Sequence, residues 1–430
     1  MTLANMNGAS ADRGTVRISA TTRDHVLVTG WLVVSFKQFP GDELLLYPMA
    51  LYFGWIFLRD FEALFPILMR NWFLFAFPVW CGLTVLWGPD KAAIIKATAQ
   101  LFLTVLICYV AALRLDRRQI LQSLLLAAGI YGLASLLLPS TGGVAARGVF
   151  ASKNSMGLAM VLLWAVSLCV LFDPLQPKWM RIASAGLAAV AIKLVFQAQS
   201  ATAVLLAFGV AALMVFGLLV RGRGLFHPMV LVVFFGFMAT TSLALATILA
   251  VHDVDLVSLV LEKFGKDATL TGRTVLWGYA FEQIREHPLL GVGEGGFWRP
   301  QDWTSLSRRI YIDFHKGFHS TFTFHNSYLQ TAVHQGLIGL AIGITGFLWA
   351  VCKVIAATVR NPTMPCIFFV LIAAVILARN NTEPGLLRPF SNFTMLLYMG
   401  ALIAVRDTLQ PRFGSRYPAQ AFTPPPLRQP

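Results

Sequence analysis

Phe324-His325-Asn326-Ser327-Tyr328-Leu329 opens an apolar run that carries Gly336-Leu337-Ile338-Gly339 and continues to about residue 351. Upstream lies the one long polar stretch of the chain, 251–325. A spanning helix needs about 20 apolar residues, and every backbone polar group inside a bilayer must find a partner within the protein. The stretch therefore marks the point where a water-facing loop enters a membrane. His325 sits at that boundary, within reach of lipid-held and aqueous molecules alike.

The rest of the chain supports this reading. It has 430 residues, 57% hydrophobic and only 13% charged, with mean hydropathy +0.68. Globular proteins carry about 25% charged residues. The apolar residues run continuously and do not alternate, which excludes a β-barrel. Twelve apolar segments follow, near 25–36, 43–58, 68–88, 93–113, 119–138, 155–172, 180–197, 200–220, 227–250, 326–351, 364–379 and 390–405. The fold class is an all-α polytopic membrane protein with about 12 transmembrane helices and one long extracytoplasmic loop. Its parts are an N-terminal cytoplasmic tail (1–24), helices one to nine (25–250), the loop (251–325), helices ten to twelve (326–405) and a Pro-rich C-terminal tail (406–430). No apolar core ending in a cleavage site precedes residue 25, so no signal peptide is expected.

Charge sets the orientation. With both termini inside, the inner loops and tails hold 18 Lys and Arg, and the short outer loops hold 7. Cytoplasmic loops collect such residues, so 251–325 is expected outside. The same rule accounts for the net charge of +14, and nucleic acid is not expected as a partner. Cys81, Cys108, Cys169, Cys352 and Cys366 lie in or beside apolar segments, which argues against a disulfide framework or a cysteine-held metal.

Within the loop, Thr274–Glu286 reads as a helix, with Leu276, Tyr279, Ala280 and Ile284 on one face and Glu282, Arg285 and Glu286 on another. Pro288 ends it, and Gly291-Val292-Gly293-Glu294-Gly295-Gly296 forms a turn. The turn follows no strand and is weak as a nucleotide signature.

Candidate chemistry gathers near the loop. An imidazole titrates near neutrality and suits proton removal from a sugar hydroxyl. His325 fits that role, and packing of the loop onto the bundle explains it as well. Asn326 is a good N-cap for the helix that follows. Arg273, beside the expected helix start, is placed to clamp phosphate or to stay solvated. Arg147, Lys153 and Asn154 share a short outer loop, where cations bind a diphosphate or simply anchor at the interface. His315 and His319 have zinc-like spacing, but no completing ligand accompanies them, and no metal is expected. Glu383, in the last outer loop, is placed to pair with Arg379 or Arg388 or to orient the site.

Four pieces in order carry a resemblance: Arg147-Gly148-Val149-Phe150 with Lys153-Asn154-Ser155-Met156-Gly157; Gly272-Arg273-Thr274 with Trp277; Pro288-Leu289-Leu290-Gly291-Val292-Gly293 with Phe297-Trp298; and His325-Asn326-Ser327-Tyr328-Leu329 with Gly336-Leu337-Ile338-Gly339. Glu383 is a weaker fifth. With these pieces the chain resembles the O-antigen ligase and Wzy-type polymerase family, nearest its exopolysaccharide polymerases. The resemblance implies a GT-C-like, metal-independent, inverting glycosyltransferase of the bacterial inner membrane, active on the periplasmic side and without a cofactor. Its donor would be an undecaprenyl-diphosphate-linked oligosaccharide. His325, Arg273 and Arg147 would be catalytic, and Lys153, Asn154, Asn326, Arg308, Arg309 and Glu383 would bind substrate. A chain-length regulator and export proteins are candidate partners. The first alternative is an O-antigen ligase that transfers the glycan to lipid A-core. The alternative from another class is a transporter or flippase, which would call for internal repeats and mid-span charges; Lys193 is the one strong candidate for such a charge.

Overall fold

The computed structural model describes residues 20–37, 39, 41–138, 145–221 and 269–409. Among them all regular structure is helical. The helices are α1 (Ala20–Ser35), α2 (Glu43–Arg59), α3 (Phe61–Asn71), α4 (Ala76–Leu83), α5 (Lys91–Arg114), α6 (Arg117–Leu137), α7 (Lys153–Leu171), α8 (Lys178–Gln197) and α9 (Ala201–Arg221), then α10 (Thr269–Glu286), α11 (Leu306–Asp313), α12 (Ser327–Arg360), α13 (Met364–Arg379) and α14 (Asn392–Leu409). Seven stretches among the described residues are long and apolar enough to cross a membrane: Phe61–Leu86, α5, α6, α7, α8, most of α9, and α12; α13 is a shorter apolar helix. The protein is a multi-pass membrane protein.

Several expectations move. The third segment begins at Phe61 rather than 68, and short 3₁₀ turns at Trp72–Phe75 and Thr84–Leu86 interrupt it. Helix α1 starts at Ala20 and α14 runs to Leu409, each inside a stretch read as tail. The loop helix starts at Thr269, five residues before the expected start at Thr274. Lys193 lies four residues from the end of α8 and is exposed, so it is not a mid-span charge. The expected ninth segment, 227–250, lies outside the described residues.

Local sequence explains the helix starts. Asp90 accepts from Ala93 N, Asp116 and Gln119 form a reciprocal capping box, and Ser152 accepts from Ser155 N. Each satisfies a backbone donor that a helix start leaves free. Packing then gathers one continuous apolar core, which includes Trp31, Phe53, Tyr109, Phe347 and Phe368. Large apolar side chains such as Leu51, Leu58, Ile182 and Leu205 stay exposed, as a lipid-facing surface requires.

The helices alternate in direction, and their ends segregate by chemistry. At one end Arg114 pairs with Asp24 and Asp60, Arg118 with Asp173, and Arg117 with Asp407. These residues lie at the start of α1, near the end of α2, at the end of α5, at the start of α6, past the end of α7 and near the end of α14. At the opposite end Ser35 meets Asn392, Lys96 meets Glu43, and Ser200 meets Asn154. His325 lies at this second end.

There α10 and α11 build a smaller apolar cluster of Leu276, Ala280, Phe297, Ile310, Phe324 and Val333. Leu276 and Ala280 are buried as the helical face predicted, and Tyr279 and Ile284 pack beside them. The cluster docks through a break in α12. Gly336 has φ +67° inside that helix, which frees the carbonyls before it and the N–H groups after it. The glycine-rich turn takes them up. Val292 N and Gly293 N donate to Val333 O and His334 O at 3.0 and 2.8 Å, while Leu337 N donates to Pro288 O at 2.8 Å. Trp80 Nε1 donates to Gln335 O at 2.8 Å. A helix break at membrane depth survives only with such replacement partners. The approach leaves no room for a side chain: a Cβ on Gly336 would lie 2.0 Å from Leu289 O, and one on Gly291 2.4 Å from Gly336 N.

Candidate active site

Glu383 is the centre of the polar end. Its Oε1 accepts from Asn154 Nδ2 at 3.2 Å and lies 4.0 Å from Arg273 Nη2. Its Oε2 lies 3.4 Å from His325 Nδ1, close enough for an ion pair but without hydrogen-bond geometry. Asn154 is in turn fixed by Ser200 Oγ, which donates to its Oδ1 at 3.1 Å. Four elements thus meet here: the starts of α7 and α12, the first half of α10, and the turn after α13.

The side chains of His325, Arg273 and Glu383 remain 33%, 26% and 24% exposed, so a substrate can reach them. Burial alone would raise the Glu383 carboxyl. His325, Arg273 and Arg379 around it outweigh that and hold it below the ordinary carboxylate range. Burial pulls the Arg273 guanidinium down, and Glu383 opposes this. A half-buried carboxylate ringed by cations stays charged, and it leaves positive charge to spare for an anionic ligand.

His325 is held against its own backbone preference. It sits at φ +49°, a region that costs a non-glycine residue energy and persists only under constraint. The constraints lie on both sides. Trp277 Nε1 donates to Phe324 O at 2.9 Å, and Phe324 N donates to Gln330 Oε1 at 3.1 Å. Ser327 N donates to Asn380 O at 2.8 Å. Ser327 Oγ accepts from Gly385 N at 2.9 Å and lies 2.9 Å from Glu383 O, as a donor to it. The backbone carrying His325 is therefore locked to the backbone carrying Glu383.

Of the residues singled out in the sequence, the structure brings together His325, Arg273, Glu383 and Asn154. Arg273 is the fifth residue of α10 rather than beside its start, so the free N–H groups of a helix terminus do not assist it. Asn326 caps α12, its Oδ1 accepting from Tyr328 N and Leu329 N at 2.9 and 3.1 Å; the side chain is largely committed to the fold. Arg147 and Lys153 are exposed, on the turn before α7 and at its first residue. Arg308 and Arg309 lie elsewhere. Arg308 stacks on Trp303 and Phe318, at 3.8 and 4.7 Å, and Arg309 sits 5.4 Å from the Tyr279 ring. His315 and His319 are exposed and lie beyond the end of α11, so their spacing is not that of a helix face. Arg379 was expected only to pair with Glu383. Its guanidinium packs on Gly385, where a Cβ would lie 2.6 Å from Nη2, and it faces the Phe393 ring at 5.1 Å. An arginine ending an apolar helix four residues before a Pro-preceding glutamate was the available signal.

A loop histidine, a carboxylate and an arginine thus meet at one end of a multi-pass helical bundle. The family described as O-antigen ligase matches residues 186–344, from α8 into α12. The chain is also 29% identical over 340 residues to the exopolysaccharide production protein ExoQ of Rhizobium meliloti (strain 1021), a match covering 76% of this chain and 75% of that one. Both matches place the likeness of this chain with the O-antigen ligase/Wzy-type family.

Proposed function

We propose that the protein is a polysaccharide polymerase of the bacterial inner membrane, acting in exopolysaccharide biosynthesis. It moves an oligosaccharide from an undecaprenyl-diphosphate-linked donor onto a lipid-linked repeat unit at the periplasmic face. The observation that carries this reading is the His325–Glu383–Arg273 cluster: an imidazole 3.4 Å from a carboxylate, with an arginine 4.0 Å from that same carboxylate.

The Glu383 carboxylate, 3.4 Å from Nδ1, favours the tautomer with its proton on that nitrogen, and Nε2 then acts as the base. An acceptor hydroxyl attacks the anomeric carbon while Nε2 takes its proton. The bond from that carbon to the diphosphate oxygen breaks, and the diphosphate leaves with the electron pair. One in-line displacement inverts the anomeric centre. The leaving charge is met by Arg273, with Arg147 and Lys153 from the α7 side. Arginine suits this work because its planar fork binds two oxygens of one phosphate. Asn154 positions Glu383. Arg308 and Arg309 would contact the glycan further out.

On this reading the bundle is GT-C-like with twelve spans. The end bearing Arg114, Arg117 and Arg118 faces the cytoplasm, with 1–24 and 406–430, and 251–325 faces the periplasm. A chain-length regulator and export proteins would act downstream. The 29% identity to an exopolysaccharide production protein favours polymerase over ligase.

A gene-deletion strain tests this, with lipopolysaccharide and extracted exopolysaccharide run side by side. Loss of high-mass exopolysaccharide with intact lipopolysaccharide ladders supports the polymerase. Polymer stranded on its carrier with core-truncated lipopolysaccharide identifies a ligase instead. No change in either glycan overturns both and reopens transport.

A further inference from the structure

A second polar feature lies at the same end of the bundle, on another face of α12. It is a cavity of about 370 Å³, walled by the first turns of α12, the first half of α5, the start of α2 and the segment 384–390. His325 and Arg273 do not line it, whereas Ser327, Pro384 and Gly385 do. It therefore backs onto the residues that tie His325 to Glu383.

One wall carries a hydrogen-bonded chain that the cluster around Glu383 does not use. Gln330 Oε1 accepts the Phe324 N–H at 3.1 Å, which turns its Nε2 toward His334 Nε2 at 2.9 Å. The amide donates there, so His334 Nε2 accepts and its proton resides on Nδ1. That Nδ1–H is buried and has no hydrogen-bond partner; Glu294 Oε2, at 3.7 Å, is out of hydrogen-bond reach. Gln335 Nε2 donates to Glu294 Oε2 at 3.2 Å, and Gln335 Oε1 is buried without a partner. His334 and Gln335 are only 5% and 2% exposed. Both atoms are closed to solvent, so the group this network presents to the cavity is the Glu294 carboxylate, 41% exposed. The opposite wall adds Gln100 and the Lys96–Glu43 pair, and Phe77 and Phe390 supply ring faces.

Amides, paired charges and aromatic faces around an open cavity match the chemistry of a sugar, whose vicinal hydroxyls both donate and accept and whose C–H faces are apolar. We propose that this cavity binds the acceptor oligosaccharide just behind its non-reducing residue, whose reacting hydroxyl lies outside the cavity at His325, with Glu294, held by Gln335 beside His334, gripping a hydroxyl of the bound sugar. The inference rests on the glycosyl transfer proposed above and assigns its acceptor site. The network gives that site a physical link to the chemistry, because Gln330 joins His334 to the backbone of Phe324, the neighbour of His325.

The test separates acceptor from donor. Repeat-unit oligosaccharide released from its lipid by mild acid, then fluorescently tagged at its reducing end, keeps a free non-reducing end but has no diphosphate. It can accept but not donate. The donor is lipid-linked oligosaccharide extracted from the deletion strain, and the enzyme is the full-length protein in lipid nanodiscs. Glu294→Gln and Gln335→Met are expected to raise KM for the tagged oligosaccharide about tenfold, as loss of a charge-assisted hydrogen bond does, with donor KM unchanged. Gln100→Leu, on the far wall and outside the buried network, should shift the same KM and covers the case where a network variant fails to fold. His325→Ala should abolish transfer yet bind the tagged oligosaccharide as wild type does, read by fluorescence anisotropy. Wild-type acceptor KM in all three cavity variants overturns the acceptor site while leaving the polymerase standing. No transfer by wild type from this donor overturns the polymerase reading itself.

Discussion

At the residue scale, the account rests on three side chains and one strained backbone. His325→Ala and Arg273→Ala are expected to abolish polymer while the protein still inserts normally; full activity of either in a complemented deletion strain contradicts the assigned role. His325→Asn is more discriminating. Asparagine tolerates the left-handed region better than most residues, so this variant should match or exceed wild-type thermal stability and still make no product. Glu383 gives a pH signature. Its carboxyl is held below the ordinary range, so its stabilising contribution is complete above a carboxylate pKa of about 4 and is lost as pH falls through the lower folded value. The stability gap between wild type and Glu383→Gln should therefore still be open at about pH 5 and close only in stronger acid. A gap that closes already near pH 6 would place Glu383 in a different environment. His325 and Arg273 were legible in the sequence because each sits in a short motif. The central place of Glu383 was not, since four segments far apart in the chain converge on it.

At the element scale, the break in α12 is the joint between bundle and loop. Gly336 at φ +67° packs against the Pro288–Gly293 turn, and Gly291 approaches it in return. Gly336→Ala is expected to cost roughly 1–3 kcal/mol from backbone conformation alone, and the clash with Leu289 O adds to that. The outcome to look for is faster proteolytic cleavage between residues 286 and 325, with loss of activity and retained membrane insertion. Cleavage at the wild-type rate would show that the turn does not hold the loop in place. Asn326→Ala should cost about 1 kcal/mol through the lost cap, visible as a lower melting temperature. Continuous apolar runs located helices at eleven of the twelve expected segments, the other lying outside the described residues, and seven described stretches are long and apolar enough to cross a membrane. The interruptions inside α12 and between α3 and α4 were not legible. They depend on partners from elsewhere in the chain, such as Trp80 on Gln335 O and the glycine-rich turn on Val333 O and His334 O.

At the scale of the whole molecule, the ends of the bundle differ in kind. One gathers arginine–aspartate pairs, and the other gathers the amides, histidines and carboxylates of the two polar sites. The orientation proposed here puts the first inside. Cysteine labelling in intact cells with a membrane-impermeant thiol reagent checks it, after Cys352, the one exposed native cysteine among the five, is changed to Ser. A cysteine at Ser320 should label and one at Lys178 should not; the reverse pattern inverts the topology and moves the site to the cytoplasm. The charge count anticipated this asymmetry, yet it could not tell which loops meet in space.

The most direct test of the central claim is a reconstituted reaction. Purified protein in nanodiscs would receive only lipid-linked repeat units extracted from the deletion strain, and glycan length and released undecaprenyl diphosphate would be followed together. The account predicts a growing ladder, one diphosphate released per bond formed, and neither product from His325→Ala. A ladder of wild-type length from His325→Ala would contradict it.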